Sequence, residues 1–230
     1  MKIFSVDKKI TKKGFYCPSD TIYFNIWTKL FILSAKKHAP WAHIHVHIFD
    51  AVPNDILWCN ANNVTVTIEQ TPEEYTQSIE RKKDFWVNIR FIRLSEIYDD
   101  AVSVIAIDSD SLFKNDLTEK EFDNDLQSSW VTVRGEDNSS LGSAVGFGPD
   151  DFRHKYKNKL LEHEGHFRWF LDQQVLDNML RTNQVASMNL KYSDFTSQDS
   201  SVIWTGKGKR KFKKKFASLA ELYRNINKGI

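Results

Sequence analysis

Two carboxylates, Asp108 and Asp110, stand one residue apart at the end of an apolar run in VIAIDSDSLFKNDL (104–117). Carboxylates this close repel each other unless a cation sits between them. In an arbitrary loop, one would cap the following turn and the other would face water. After a run as apolar as VIAI the pair reads differently, because the end of a buried strand is where ligands for a hard cation are placed. Oxygen ligands select Mg2+ or Mn2+ and leave room for water and for phosphate oxygens of a substrate. Such a cation neutralises a diphosphate and makes it a better leaving group.

Three other clusters are weighed down. His43, His45 and His47 alternate in HIHVHIFD (43–50), so on a strand they share one face. A zinc comb is one reading. A strand with one polar or half-buried face gives the same pattern without a metal and is preferred. HEGH (163–166) is one residue short of the zinc-protease H-E-x-x-H and reads as a solvated helix end. GKGKRKFKKKF (206–216) carries seven basic residues between 207 and 215. Beyond a solvated basic surface, its functional options are diphosphate binding at its start, nucleic acid, or an electrostatic hold on anionic lipid. Phe212 and Phe216 between the lysines suit an interfacial helix.

These residues need elements to hold them. The chain has 230 residues, 41% of them hydrophobic and 27% charged, enough for one domain with a substantial core. Seven Trp and sixteen Phe suggest aromatic-rich packing or a cleft lined with rings. The net charge of +2 rules out a polycation. Two cysteines, Cys17 and Cys59, form no framework of bridges and are read as packing residues or unreactive thiols; a reduced, cytoplasmic protein is expected. No signal peptide or membrane-spanning run is seen.

A short strand is expected at 2–6, followed by a lysine-rich loop through 18–20. A helix follows over 21–37, with Ser19 or Asp20 as N-cap. Strands are expected at 43–50, 64–70, 103–108, 128–135 and 143–148. Helices are expected at 54–62, 150–165 and 167–182, and over most of 71–100 with a break near its middle. The chain ends in a short strand, a basic loop and an amphipathic helix. Strands alternating with helices indicate an α/β domain with a largely parallel sheet, whose ligands sit beyond the carboxyl ends of the strands. Asp108 and Asp110 lie at such an end.

The segment NIRFIRLSEIYDDAVSVIAIDSDSLFKNDL (88–117) resembles the core of GT-A fold glycosyltransferases, and most of all family 8, the relatives of glycogenin and of lipopolysaccharide galactosyltransferases. Arg90 matches the family's helix arginine with a one-residue offset, and Arg93 is the fallback. Asp108 and Asp110 match its D-x-D, and Asp116 and Leu117 the segment after it. LGSAVGFGPDDF (141–152) resembles the strand that faces the donor sugar. FLDQQVLDNML (170–180) resembles the D-Q-x-x-L-N helix start, with Asp177 in place of the usual Asn. The likeness is good over roughly half the chain.

The resemblance implies a single GT-A domain over 1–230: a nucleotide-binding half to 117, a donor-sugar and acceptor half over 118–216, and a C-terminal helix over 217–230. It implies a metal-dependent transfer of sugar from a nucleotide-diphosphate donor, a UDP-sugar by family habit, to an unknown acceptor with retention of configuration. Asp108 and Asp110 would hold Mn2+ or Mg2+. Arg90, with Lys209 or Lys211, would offset charge on the leaving group. Asp172 and Gln173 would flank the reacting sugar carbon. Ser5 and Asp7 fall, by order alone, where the family holds the base. The family's C-terminal H-x-x-G-x-x-K-P-W is altered in VIWTGKGKRKFKKK (202–215): one register aligns Gly206 and Lys209 and puts Ile203 at the histidine, the other aligns Gly208, Lys211 and Phe212 and puts Thr205 there. Glycines and lysines there can still cradle a diphosphate. Two alternatives stand: a haloacid-dehalogenase-like phosphatase, whose motif also begins with an apolar strand and D-x-D, and an inactive sugar-nucleotide-binding protein.

Overall fold

The structure, a computed structural model, describes residues 8–134, 139–195, 200–206 and 214–228. The strand expected at 2–6, with Ser5 and Asp7, lies outside the described residues. So do Lys209, Lys211 and the rest of the basic loop before residue 214.

The first described strand, β1 (Gly14–Asp20), was expected to be loop. It is buried over most of its length and pairs in parallel with β2 (His43–Phe49) on one side and with β4 (Val104–Ile107) on the other. Pro18 within it argues against a central strand. The conflict is resolved by register: β4 pairs only with Gly14, Phe15 and Tyr16, so Pro18 lies where that side of the strand is no longer laddered. Gly14 is required at its position, because its φ is +155° and a Cβ there would lie 2.0 Å from the His43 carbonyl oxygen.

Asp20 caps the helix that follows, its carboxylate accepting from the Ile22 and Tyr23 amides at 2.8 and 3.0 Å. That helix has three parts: α1 (Thr21–Tyr23), a π-helical turn (Phe24–Thr28) and α2 (Lys29–His38). After β2 come α3 (Pro53–Ala61) and β3 (Thr65–Glu69). The long helical segment is not broken in its middle. A 3-10 turn (Glu73–Tyr75) precedes one continuous helix, α4 (Ile79–Ile97), which starts where Ser78 accepts from the Arg81 amide. Beyond β4 follow β5 (Ser111–Phe113), α5 (Glu119–Asp125), β6 (Trp130–Arg134), β7 (Ser139–Phe147), α6 (Phe152–Leu161), α7 (Leu171–Arg181), β8 (Ala186–Met188), β9 (Ile203–Thr205) and α8 (Lys214–Lys228).

Seven strands form one sheet in the order β3-β2-β1-β4-β7-β6-β8, and β5 pairs with β9 in a separate two-stranded ladder. Only β7 runs against its neighbours, so the sheet is mostly parallel, as expected. Both faces are covered. Val104 and Ala106 belong to the core under α4, α6 and α7, whereas Ile105 and Ile107 belong to the core on the side of α2 and α5. A strand buried on both faces reads as an unbroken apolar run, which is why VIAI has no polar alternation.

The same cover corrects the reading of the histidine strand. His45 and His47 are fully buried; β3 meets both ring nitrogens of His47 but only Nε2 of His45, whose Nδ1 is buried without a partner. His43, His45 and His47 meet Thr65, Thr67 and Thr67 at 2.7, 2.9 and 2.8 Å, and His47 also meets Glu69 at 3.2 Å. Among the described residues no group of three His, Cys, Asp or Glu is arranged to hold a metal.

Phe216 is not interfacial. It is 6% exposed and packs against Trp27 and Trp204 beneath α8. Cys17 and Cys59 are buried free thiols, and burial pushes Cys59 up to about 11. Among the described residues no helix is long and apolar enough to cross a membrane.

Candidate active site

The carboxyl ends of β1, β2 and β4 open into a cleft of about 400 Å3, where Asp20, Phe49 and Asp108 face α4 and the start of α7. Its position is the one that parallel sheets provide for ligands. A larger open groove of about 850 Å3 lies at the opposite strand ends, beside Lys12, His43 and Ser103. It holds neither the D-x-D carboxylates, Arg90 nor the D-Q pair, and the smaller cleft is the better candidate.

Arg90 organises the cleft. It comes from α4, and its guanidinium reaches three other elements. Nη1 donates to Asp108 Oδ1 at 2.7 Å, and Nη2 donates to the Gly142 carbonyl and to Asp172 Oδ2, both at 3.1 Å. The end of β4, the middle of β7 and the first turn of α7 are thus held on one side chain. Gly142 has no Cβ because one would lie 2.8 Å from Asp172 Oδ2 and 3.1 Å from Arg90 Nη2. Burial works against the Arg90 charge, but Asp108 and Asp172 more than offset it and hold the group above its ordinary range. Burial pushes the Asp172 carboxyl up, and Arg90 only partly counters this. Asp172 also lies in the first turn of α7, where the helix dipole favours negative charge.

Arg93, the fallback, points elsewhere. It forms a two-pronged pair with Glu69 at 2.6 and 2.8 Å and reaches Glu96 at 2.7 Å, away from the cleft. Asp116 and Leu117 are structural: Asp116 meets His38 at 2.6 Å, and the Leu117 amide donates to the His38 carbonyl. Asp177, in the family's Asn position, accepts from the Ser140 amide at 2.6 Å and ties α7 to β7. Gln173 lines the cleft beside Asp172, and Asp110 lines it beside Asp108.

The C-terminal segment returns to the D-x-D, where the Gly206 amide donates to the Asp110 carbonyl at 2.8 Å. β9 lies antiparallel to β5, with Thr205 opposite Ser111. Of the two residues that stand for the family's histidine, Ile203 is core. Thr205 joins a buried hydroxyl chain: Ser143 to Ser193 at 2.6 Å, Ser193 to Thr205 at 3.1 Å, Thr205 to Ser111 at 3.0 Å.

Sequence reading missed several cleft residues. Ser19, Asp20 and Tyr23 line it because β1 takes the place given to 2–6. The signal was present: a capping Asp between an apolar stretch and a helix is how a strand-to-helix turn is written. Trp86 and the exposed pair Trp169 and Phe170 also line the cleft. Phe170 holds φ +66°, a left-handed conformation that costs an aromatic residue energy.

No protein-family model matches the sequence, and no curated protein matches it. Among solved structures it is similar to the galactosyltransferase LgtC, crystallised in complex with donor and acceptor sugar analogs, at 14% identity and a TM-score of 0.62 over 91% of this chain and 95% of that one. The likeness is one of fold: this chain has the GT-A glycosyltransferase fold and resembles the family 8 galactosyltransferases.

Proposed function

We propose that the protein is a glycosyltransferase that moves a sugar from a nucleotide-diphosphate donor, a UDP-sugar, to an acceptor, with retention of configuration. One observation carries the reading. Arg90 joins Asp108, at the end of the D-x-D strand, to Asp172, at the start of the D-Q helix, across Gly142 inside the cleft. Fold likeness alone would not support an activity, because one fold hosts many functions.

The donor set fits a hard cation such as Mn2+ or Mg2+: two carboxylates, with Ser19, Ser109 and Ser143 and neither His nor Cys among the described residues that line the cleft. Asp108 and Asp110 would hold it, leaving other positions for phosphate oxygens and water. Bound there, it supplies charge neutralisation of the departing diphosphate. Arg90, whose Nη1 donates to Asp108 at 2.7 Å, would supply the positive charge beside a phosphate oxygen. Gly206, beside Asp110, opens the segment in which Lys209 and Lys211 would add positive charge. Gln173 and Asp172 flank the sugar. Asp20, whose carboxylate caps α1 and which lines the cleft, would accept from the imide N–H of uracil, in place of Ser5 and Asp7.

The test is thermal stability with UDP, GDP and their sugars, each with and without Mn2+, followed by release of UDP from the donor that responds. A metal-dependent rise with a uridine nucleotide, lost in Asp110→Asn, is expected. A flat response in folded protein would sink the reading. A second reading, donor binding without turnover, is favoured by Ile203 and Thr205 standing where the family has its histidine; a thermal response with no donor cleavage would select it. Phosphatase chemistry would need Asp108 as a nucleophile, and its engagement with Arg90 and the GT-A fold both weigh against that.

A further inference from the structure

We propose that Asn88 is a positioning residue that fixes the aromatic lip of the cleft, residues 163–170, against α4. Asn88 is fully buried, and its Nδ2 donates to the Asp84 carbonyl at 2.6 Å and to the Arg168 carbonyl, 80 residues away, at 3.0 Å. Both partners are acceptors, so the amide nitrogen must face them. Oδ1 is then left buried without a donor. A buried unsatisfied acceptor is costly, and a site that keeps one is using the other end of the side chain.

What that end holds is the turn into α7. Arg168 is followed by Trp169 and Phe170, 47% and 45% exposed, their rings edge to face at 5.4 Å on the cleft wall. Phe170 is the N-cap of α7 at φ +66°, and it supplies no capping side-chain bond. Strain of this kind persists only where neighbours over-determine the chain. Two clamps from α4 do so: Asn88 on the Arg168 carbonyl and Arg90 on Asp172. Phe167, stacked on Tyr75 at 6.5 Å, anchors the preceding turn but not the strained one. Without Asn88, the Arg168 carbonyl keeps only the Leu171 amide at 3.2 Å, and Phe170 is released to an ordinary conformation. The rings then leave the wall, while Arg90, Asp108 and Asp110 stay in place. The link to catalysis rests on the transferase reading; the hold on the lip does not.

Asn88→Asp keeps the shape and removes the N–H groups; Asn88→Ala removes them without adding charge. Limited trypsin digestion with mass mapping should show cleavage after Arg168 at least tenfold faster in both, with other cuts unchanged. The melting shift with UDP and Mn2+ should be retained, while hydrolysis of the responding UDP-sugar falls. Cleavage after Arg168 at the wild-type rate would overturn the proposal, whatever nucleotides do. Should neither variant fold, the wild-type protein still decides: the Asn88 side-chain NH2 should exchange slowly with solvent by NMR, and fast exchange would refute the hold. A wild-type protein with no nucleotide response leaves the lip result standing and removes only its catalytic consequence.

Discussion

Arg90→Met tests the centre of the cleft most sharply. The substitution keeps an unbranched side chain of similar reach and removes the charge. Asp172, 2% exposed, loses its ion pair, and the Gly142 carbonyl loses a donor. Asp108 suffers less, since its side chain is 31% exposed and water takes over. Breaking a buried pair from one side costs about 3–5 kcal/mol. Asp172 can limit that cost by taking a proton. Its unfolded pKa is ~3.9, so holding it neutral at pH 7 costs about 4 kcal/mol, and at pH 5 about 1.5 kcal/mol. The sign follows from burial: a folded carboxyl pushed up keeps a proton that the unfolded chain has lost, so the penalty grows as pH rises above that unfolded value. Urea denaturation of both proteins at pH 7 and pH 5 measures the difference. We expect a loss near 4 kcal/mol at pH 7 that shrinks by more than half at pH 5, and an Arg90→Met/Asp172→Asn double variant that recovers much of it. A loss below about 1 kcal/mol, or one equal at both pH values, would mean that Asp172 is not buried against Arg90, and the site geometry would be wrong.

The other predictions are simpler. Gly142→Ala should cost about 1–3 kcal/mol from overpacking and abolish the nucleotide melting shift, because its Cβ would press on Asp172 and Arg90. Asp20→Asn should weaken UDP binding more than GDP binding, read by titration calorimetry, since an amide that turns its N–H to an imide N–H loses the bond. Stability should fall as pH drops below ~6.5, because burial first, and then His47 and His43, hold His45 well below its ordinary value; the unfolded chain takes up a proton there that the folded one refuses. Denaturation of His45→Phe, which retains a ring against Tyr16, should show a flatter profile between pH 6.5 and 5. Glu69, held down by Arg93 and His47 in spite of its burial, adds a separate loss only below ~4.5.

Local patterns carried a good deal. The apolar run into Asp108 and the alternation in 43–50 are legible because period is a property of neighbours in sequence; the D-Q start of α7 was read from its resemblance to family 8. The mostly parallel α/β sheet follows from their order. Where reading failed, a distant partner decided. GFYCPSD looked like loop because it contains Gly14 and Pro18 and follows lysines; it is a central strand because His43 presses on Gly14 and β4 stops pairing before Pro18. That error put the proposed base-side position at Ser5 and Asp7 instead of at Asp20, which lines the cleft. The helix expected to break near the middle of 71–100 runs unbroken from 79 to 97, because from Phe85 on it is buried against the core that the sheet, α6 and α7 build around it.

The sequence by itself therefore determined the chemistry on offer: a pair of carboxylates at a strand end, two candidate arginines on one helix, and the α/β framework that presents them. Tertiary structure alone decided which arginine is used, which strand ends at the cleft, and that Thr205 stands in a buried hydroxyl chain. The reason is physical. Side-chain type and helix or strand period are local, whereas burial, pairing register and the direction of a charged group are set by residues 50 to 100 positions away, as Arg90 with Gly142 and Asp172, 52 and 82 positions apart, makes plain.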